Sequence, residues 1–151
     1  MAVPGEPSAQ APATSKYTLR LTFRYEGTNV RLVTGQRVEM IPPPGELETI
    51  HQGQAGFWIE LRDVHERVLY QRALYNPIRY EFEVFEDPGT GTLRRQKIDH
   101  PQGTFELLVP DIPAGRTLVL FSSPPEAVSE PAAELARFSL DVEGLGREVK
   151  P

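Results

Sequence analysis

Tyr17-Thr18-Leu19-Arg20-Leu21-Thr22-Phe23-Arg24-Tyr25 alternates apolar and polar residues without a break. A β-strand sends successive side chains to opposite faces. The pattern therefore puts Tyr17, Leu19, Leu21, Phe23 and Tyr25 on one face, to be buried, and Thr18, Arg20, Thr22 and Arg24 on the other, to be wet.

The same logic extends outward. Gly27 and Asn29 supply a turn, after which Val30, Leu32, Val38 and Met40 continue in β-favouring company, with Gly35 read as a hairpin turn or a bulge. Ile41-Pro42-Pro43-Pro44-Gly45 ends the strand, because consecutive prolines remove ladder donors, and residues 42 to 56 form a long connection. Phe57-Trp58-Ile59-Glu60-Leu61-Arg62-Asp63 resumes the β pattern and Val68-Leu69-Tyr70 returns across Val64-His65-Glu66-Arg67, which predicts a hairpin with a loop of about four residues. Tyr80, Phe82 and Val84 alternate with Glu81 and Glu83, Glu86 to Gly91 turns the chain, and Leu93 to Ile98 is a weak, basic strand. Thr104 to Val109 is a good strand, Pro110 to Gly115 a turn, and Leu118-Val119-Leu120-Phe121, apolar at every position, a central strand. Ser122 to Ala133 reads as a loop with one helical turn after Pro131, before a last strand through Phe138, Leu140 and Val142. Short strands with turn signals between them, and no amphipathic helix, predict an all-β fold: an antiparallel β-sandwich of about seven to nine strands, or a small barrel.

With 151 residues the chain fits one domain, and the 39% apolar and 25% charged shares are those of a globular protein. Residues 1–16, rich in Ala and Pro, are expected to be a flexible leader, 17–143 the sandwich, and 144–151 a flexible tail. The net charge of −5 disfavours a general grip on the nucleic-acid backbone. Without cysteine there is no disulfide framework, thiolate nucleophile or cysteine-bound zinc. No apolar run approaches the roughly 18 residues of a membrane span, and the start of the chain lacks the apolar stretch of a secretory signal, so a cytoplasmic location is expected if this N-terminus is native.

The stretch from Phe57 to Tyr70, with Trp58 in a strand that leads into a hairpin, resembles the immunoglobulin-like and fibronectin-type sandwich modules of bacterial proteins. Phe105 to Val109 and Thr117 to Phe121, read as paired strands joined through Pro110-Asp111-Ile112-Pro113-Ala114-Gly115, add to the resemblance, which covers residues 17 to 143 and is architectural. It implies a fold used for adhesion, spacing and docking. The antibody-type subfamily is not supported, since no cysteine flanks the tryptophan.

No catalytic constellation is complete. His51, His65 and His100 stand in predicted loops, at neither HxH nor HExxH spacing. Asp87 and Asp99 lack the clustered oxygen ligands that calcium needs. There is no Gly-x-Ser-x-Gly elbow, and Ser122-Ser123 reads as strand-end polarity. Glu60, Glu81 and Glu83 alternate with apolar residues and are expected on wet strand faces, and Gly89-Thr90-Gly91 is a turn rather than a phosphate loop. Arg94, Arg95 and Lys97 form the densest basic cluster, to be met by an acidic partner or explained as an edge strand guarded by charge. Parity sends Trp58 to the face opposite Phe57, Ile59 and Leu61, so that Trp58 is exposed, or under a loop, or is itself core with Phe57 packed elsewhere.

The expectation is a non-catalytic binding or scaffolding module that docks to another protein, by strand addition or aromatic contacts, with Trp58, Tyr70, Tyr80, Arg94, Arg95 and Lys97 as contact residues and no cofactor or metal. Residues 93 to 98, if an exposed edge, are the first place to look for an added strand. A carbohydrate-binding module using the aromatics near Trp58 and Tyr80 is the alternative, and a small hydrolase or metal enzyme using loop histidines and carboxylates stands behind it.

Overall fold

The fold is described from a computed structural model, which covers residues 16–46, 50, 54–78, 81–87, 91–97 and 100–140, with 81–87 and 92–97 given by backbone alone. Residues 1–15 of the expected leader, the expected tail, His51, Tyr80, Asp99 and Val142 lie outside that set.

Seven strands form two packed antiparallel sheets, a β-sandwich. Strands β1 (Tyr17–Glu26), β2 (Asn29–Glu39) and β7 (Gln102–Pro110) make a three-stranded sheet in the order β2-β1-β7. The other sheet runs β4-β3-β8-β9, from β3 (Phe57–Arg62), β4 (Val68–Leu74), β8 (Thr117–Ser122) and β9 (Ala133–Ser139). Strands β5 (Glu81–Asp87) and β6 (Thr92–Lys97) form a separate two-stranded ribbon. No helix is present among the described residues, so the helical turn expected after Pro131 gives way to β9, which starts at Ala133.

The alternation that opens the chain is the skeleton of the core. Leu19, Leu21, Phe23 and Tyr25 of β1 are buried together with Phe57, Ile59 and Leu61 of β3, Leu107 and Val109 of β7, and Leu118 and Leu120 of β8. Phe23 stacks on Phe105 with ring centres 5.2 Å apart and meets Phe138 of the opposite sheet at 5.1 Å, joining the two layers. Strand β8 is central, as its composition predicts: it lies between β3 and β9, with Leu118, Val119 and Leu120 fully buried.

Two details differ from the sequence reading. Gly35 is neither a turn nor a bulge; it continues β2 opposite Leu21, and the register slips two residues earlier, leaving Val33 unpaired. That extra residue puts Val38 opposite Thr18, on the outer face, whereas Val30 and Leu32 stand opposite Tyr25 and Phe23. Strands β7 and β8 do not pair, because the turn after Pro110 carries the chain from one sheet to the other. Ile112 is buried in that crossing, and Gly115 lies so close to Leu61 that a Cβ there would stand 3.1 Å from its methyl groups.

Truncation of Phe23 removes the ring that joins β1, β7 and β9. Phe23→Ala is expected to cost about 3–5 kcal/mol in urea unfolding, against under about 1 kcal/mol for Val33→Ala at the exposed bulge.

Candidate docking edge

Of the aromatic contact residues expected from sequence, Trp58 and Tyr70 are placed inward, and Tyr80 lies outside the described residues. Trp58 does lie on the face opposite Phe57, yet only 4% of it is exposed. Its ring stacks on Phe121 at 5.2 Å, and its Nε1–H donates to Glu60 at 3.4 Å. Tyr70 is also buried and its hydroxyl donates to the Pro43 carbonyl at 2.9 Å; burial pushes its pKa up to about 12. Gly45 packs against that ring, where a Cβ would approach to 3.0 Å. Neither residue presents its ring to a partner in this conformation.

Glu60 corrects a second expectation. It is only 7% exposed rather than wet, because its neighbours on the outer face converge on it. Arg62 donates to one carboxylate oxygen at 2.7 and 2.9 Å, and Gln71 to the other at 2.8 Å. The network continues outward through Glu66, which accepts from Arg62 at 2.9 Å and from Arg137 at 3.2 Å, and ends at Glu134, bound to Arg137 through both oxygens. Glu66 holds a left-handed backbone, φ 66°, in the β3–β4 loop. Asp63 closes that loop by accepting from the backbone of His65 and Arg67 and from the Arg67 guanidinium. Hydrogen bonds from these donors hold the Asp63, Glu66 and Glu134 carboxyls below the usual carboxylate range.

The serines act as braces. Ser122 donates to the Ser123 carbonyl at 2.9 Å, while the Ser123 hydroxyl donates to Glu130 at 2.6 Å and accepts from Gly56 at 2.9 Å. Among the described residues no three His, Asp or Glu side chains gather to hold a metal. His65 and His100 are exposed in separate loops, the latter lining an open cleft of about 380 Å³ with Glu26, Gly27, Pro101 and Gln102 at the start of β7.

The strand edges are unequally guarded. Strands β2 and β9 each carry a register shift next to the partner strand. At the β4 edge, Glu46 donates its N–H to the Gln71 carbonyl and accepts from the Ala73 N–H through its side chain. In the ribbon, Arg95 and Lys97 stand opposite Glu83 and Glu81 and Arg94 opposite Val84, so β6 carries three cations along a regular edge. Charge of that kind guards an edge against pairing.

Strand β7 has none of these devices. It pairs with β1 from Thr18 opposite Pro110 to Glu26 opposite Gln102 with no shift, and among the described residues no other strand lies beside it. The phase of that ladder is set at both ends: Gly27 donates to the Pro101 carbonyl at 2.7 Å, and Asp111 donates to the Tyr17 carbonyl at 3.1 Å. Backbone groups of alternate residues point to opposite sides of a strand, so Gly103, Phe105, Leu107 and Val109 bond to β1. Gln102, Thr104, Glu106 and Leu108 then turn their N–H and C=O groups away from it, and among the described residues no backbone group pairs with them. The sequence reading found this strand without seeing it as an edge. Pro110, with no N–H to offer, stands in the same outward phase, and a proline closing an otherwise good strand is the signal that an edge leaves.

Two measurements check the outer face. Trp58 is the sole tryptophan, so its emission is expected to be blue-shifted and weakly quenched by acrylamide, whereas quenching like that of free tryptophan would contradict its burial. The depressed carboxyls stabilise the fold above the ordinary range of Asp and Glu and lose that effect as pH falls through their lowered values. Thermal midpoints are expected to be flat near pH 6 and to fall below roughly pH 4, with a shallower fall in Glu66→Gln.

No protein-family model, no curated protein and no solved structure matches the chain.

Proposed function

We propose that this protein is a non-catalytic docking module that takes an extended segment of another protein as a strand added to β7. The observation that carries the proposal is the uninterrupted β7 ladder, which leaves four outward residues with both main-chain groups unpaired among the described residues. An extended peptide supplies complementary groups at the same spacing, and alternate side chains on its inner face would extend the layer formed by Phe105, Leu107 and Val109.

The immunoglobulin-like resemblance fits this role as an architectural analogy. The order β4-β3-β8-β9 has the pattern of a hairpin followed by two later strands, whereas the first strand, not the second, is central in the opposite sheet. Constant-type antibody domains place the second strand there. The carbohydrate alternative loses Trp58 as an exposed stacking ring, since that side chain is buried, while Tyr80 lies outside the described residues. Arg94, Arg95 and Lys97 are a second place for contact, better explained by their guarding role on β6.

A proline at an outward position removes one donor from the free edge and none from the β1 ladder. Thr104→Pro is expected to keep its thermal midpoint within a few degrees and to lose at least about tenfold in partner affinity, as one lost main-chain bond with local blocking implies. Phe105→Pro, in the inward phase, is expected to unfold the sheet. Partner capture that survives Thr104→Pro but fails in Gln96→Pro would transfer docking to the ribbon.

A further inference from the structure

The outer face of the three-stranded sheet carries a charge arrangement that the fold does not use. Arg24 and Arg31 stand directly opposite each other on β1 and β2, both exposed, and among the described residues neither makes an ion pair. Like charges at facing positions of a sheet destabilise it. By contrast Arg20, four residues away on the same face, lies 3.8 Å from Glu106 and 3.4 Å from the Gln36 side chain.

The row that holds the arginines runs Arg31, Arg24, Thr104, and ends at the free edge of β7. Thr104 is small, and its side chain shares the outer face with Arg24. A strand added to β7 would lie roughly 10 Å from β1, with a small threonine between. A carboxylate facing Thr104 on that strand would fall within the combined reach of an acidic side chain and the Arg24 guanidinium. One row along, the same face offers Glu106, which would repel an acid, so the preference is confined to one position.

We propose that the segment docked on β7 belongs to a partner protein and is acidic at the position facing Thr104, its carboxylate meeting Arg24. This deepens the docking proposal and rests on it. Apolar residues on either side of the acid in sequence would face inward, next to Phe105, whose ring is only partly buried at the edge. A second copy of the chain paired through this same strand about Glu106 would bring two acids together, whereas pairing about Phe105 would set its Glu106 opposite Thr104, so the dimer measurement below separates that occupant from a partner protein.

The test uses the full chain and capped peptides alternating valine and threonine, with one central outward glutamate in one peptide and lysine in the other. The glutamate peptide is expected to bind about fivefold more tightly than the lysine peptide, and Arg24→Glu is expected to reverse that order. Thr104→Pro is expected to abolish binding of both, with Thr104→Val as the control that keeps it. Equal binding of the two peptides, still lost in Thr104→Pro, would overturn the acidic preference and leave the edge standing. A preference that survives Thr104→Pro, or no binding at all, would sink both proposals. A concentration-dependent dimer that Thr104→Pro dissolves would name a second copy as occupant and overturn the partner.

Discussion

Strand β1 has to satisfy hydrogen bonds on both sides while burying one face, and a single alternation does both. Leu19, Leu21, Phe23 and Tyr25 point their side chains into the core and their backbone groups toward β7; Arg20, Thr22 and Arg24 do the reverse on both counts, facing out and bonding to β2 across the two-residue turn at Gly27 and Thr28. Thr18, expected wet, is fully buried with its hydroxyl donating to the Met40 carbonyl, and Tyr17 is only partly buried. Because the register with β7 never slips, the phase set by Tyr17 and Asp111 at one end and by Gly27 and Pro101 at the other runs through the whole strand. The direction of every outward group on β7 follows from this. A bulge in β7 like the one at Val33 would have broken the edge into shorter runs.

The opposite sheet is managed differently. Its outer face is not left to solvent: Trp58 and Phe121 stack, and Glu60 is closed in by Arg62, Gln71 and the indole. A carboxylate so enclosed is costly unless every lone pair is used, and here both oxygens accept. Glu66 accepts a left-handed backbone to carry this network to Arg137 on the edge strand β9, so that β3, the β3–β4 loop and β9 are tied together outside the core. The four-stranded sheet is thereby fastened at its outer face and covered at its β4 edge by Glu46, while ties of the three-stranded sheet outside its core include Arg20 with Glu106 and Gln36 and Arg37 with Asp111.

The fold was legible in the sequence wherever alternation was strict. Tyr17 to Tyr25 identifies a half-buried strand and Leu118 to Phe121 a central one, because burial on one or two faces leaves a period that side chains alone reveal. Gly35 misled because glycine marks both bulges and close strand approach, and composition does not distinguish them. Trp58 and Glu60 misled for a related reason: parity assigns the face correctly, but what lies over that face comes from residues far off in sequence, Gln71 and Phe121 among them. Which strand is an edge depends on the order of strands across the sheet, and period alone carries no information about order.

Residue-resolved amide hydrogen exchange along β7 tests the free edge most directly. The phase of the β1 ladder predicts slow exchange at Gly103, Phe105, Leu107 and Val109 and fast exchange at Gln102, Thr104, Glu106 and Leu108. Uniform protection along the strand would show its outer side already paired, and the opposite alternation would show the phase reversed; either result contradicts an edge open to an incoming strand.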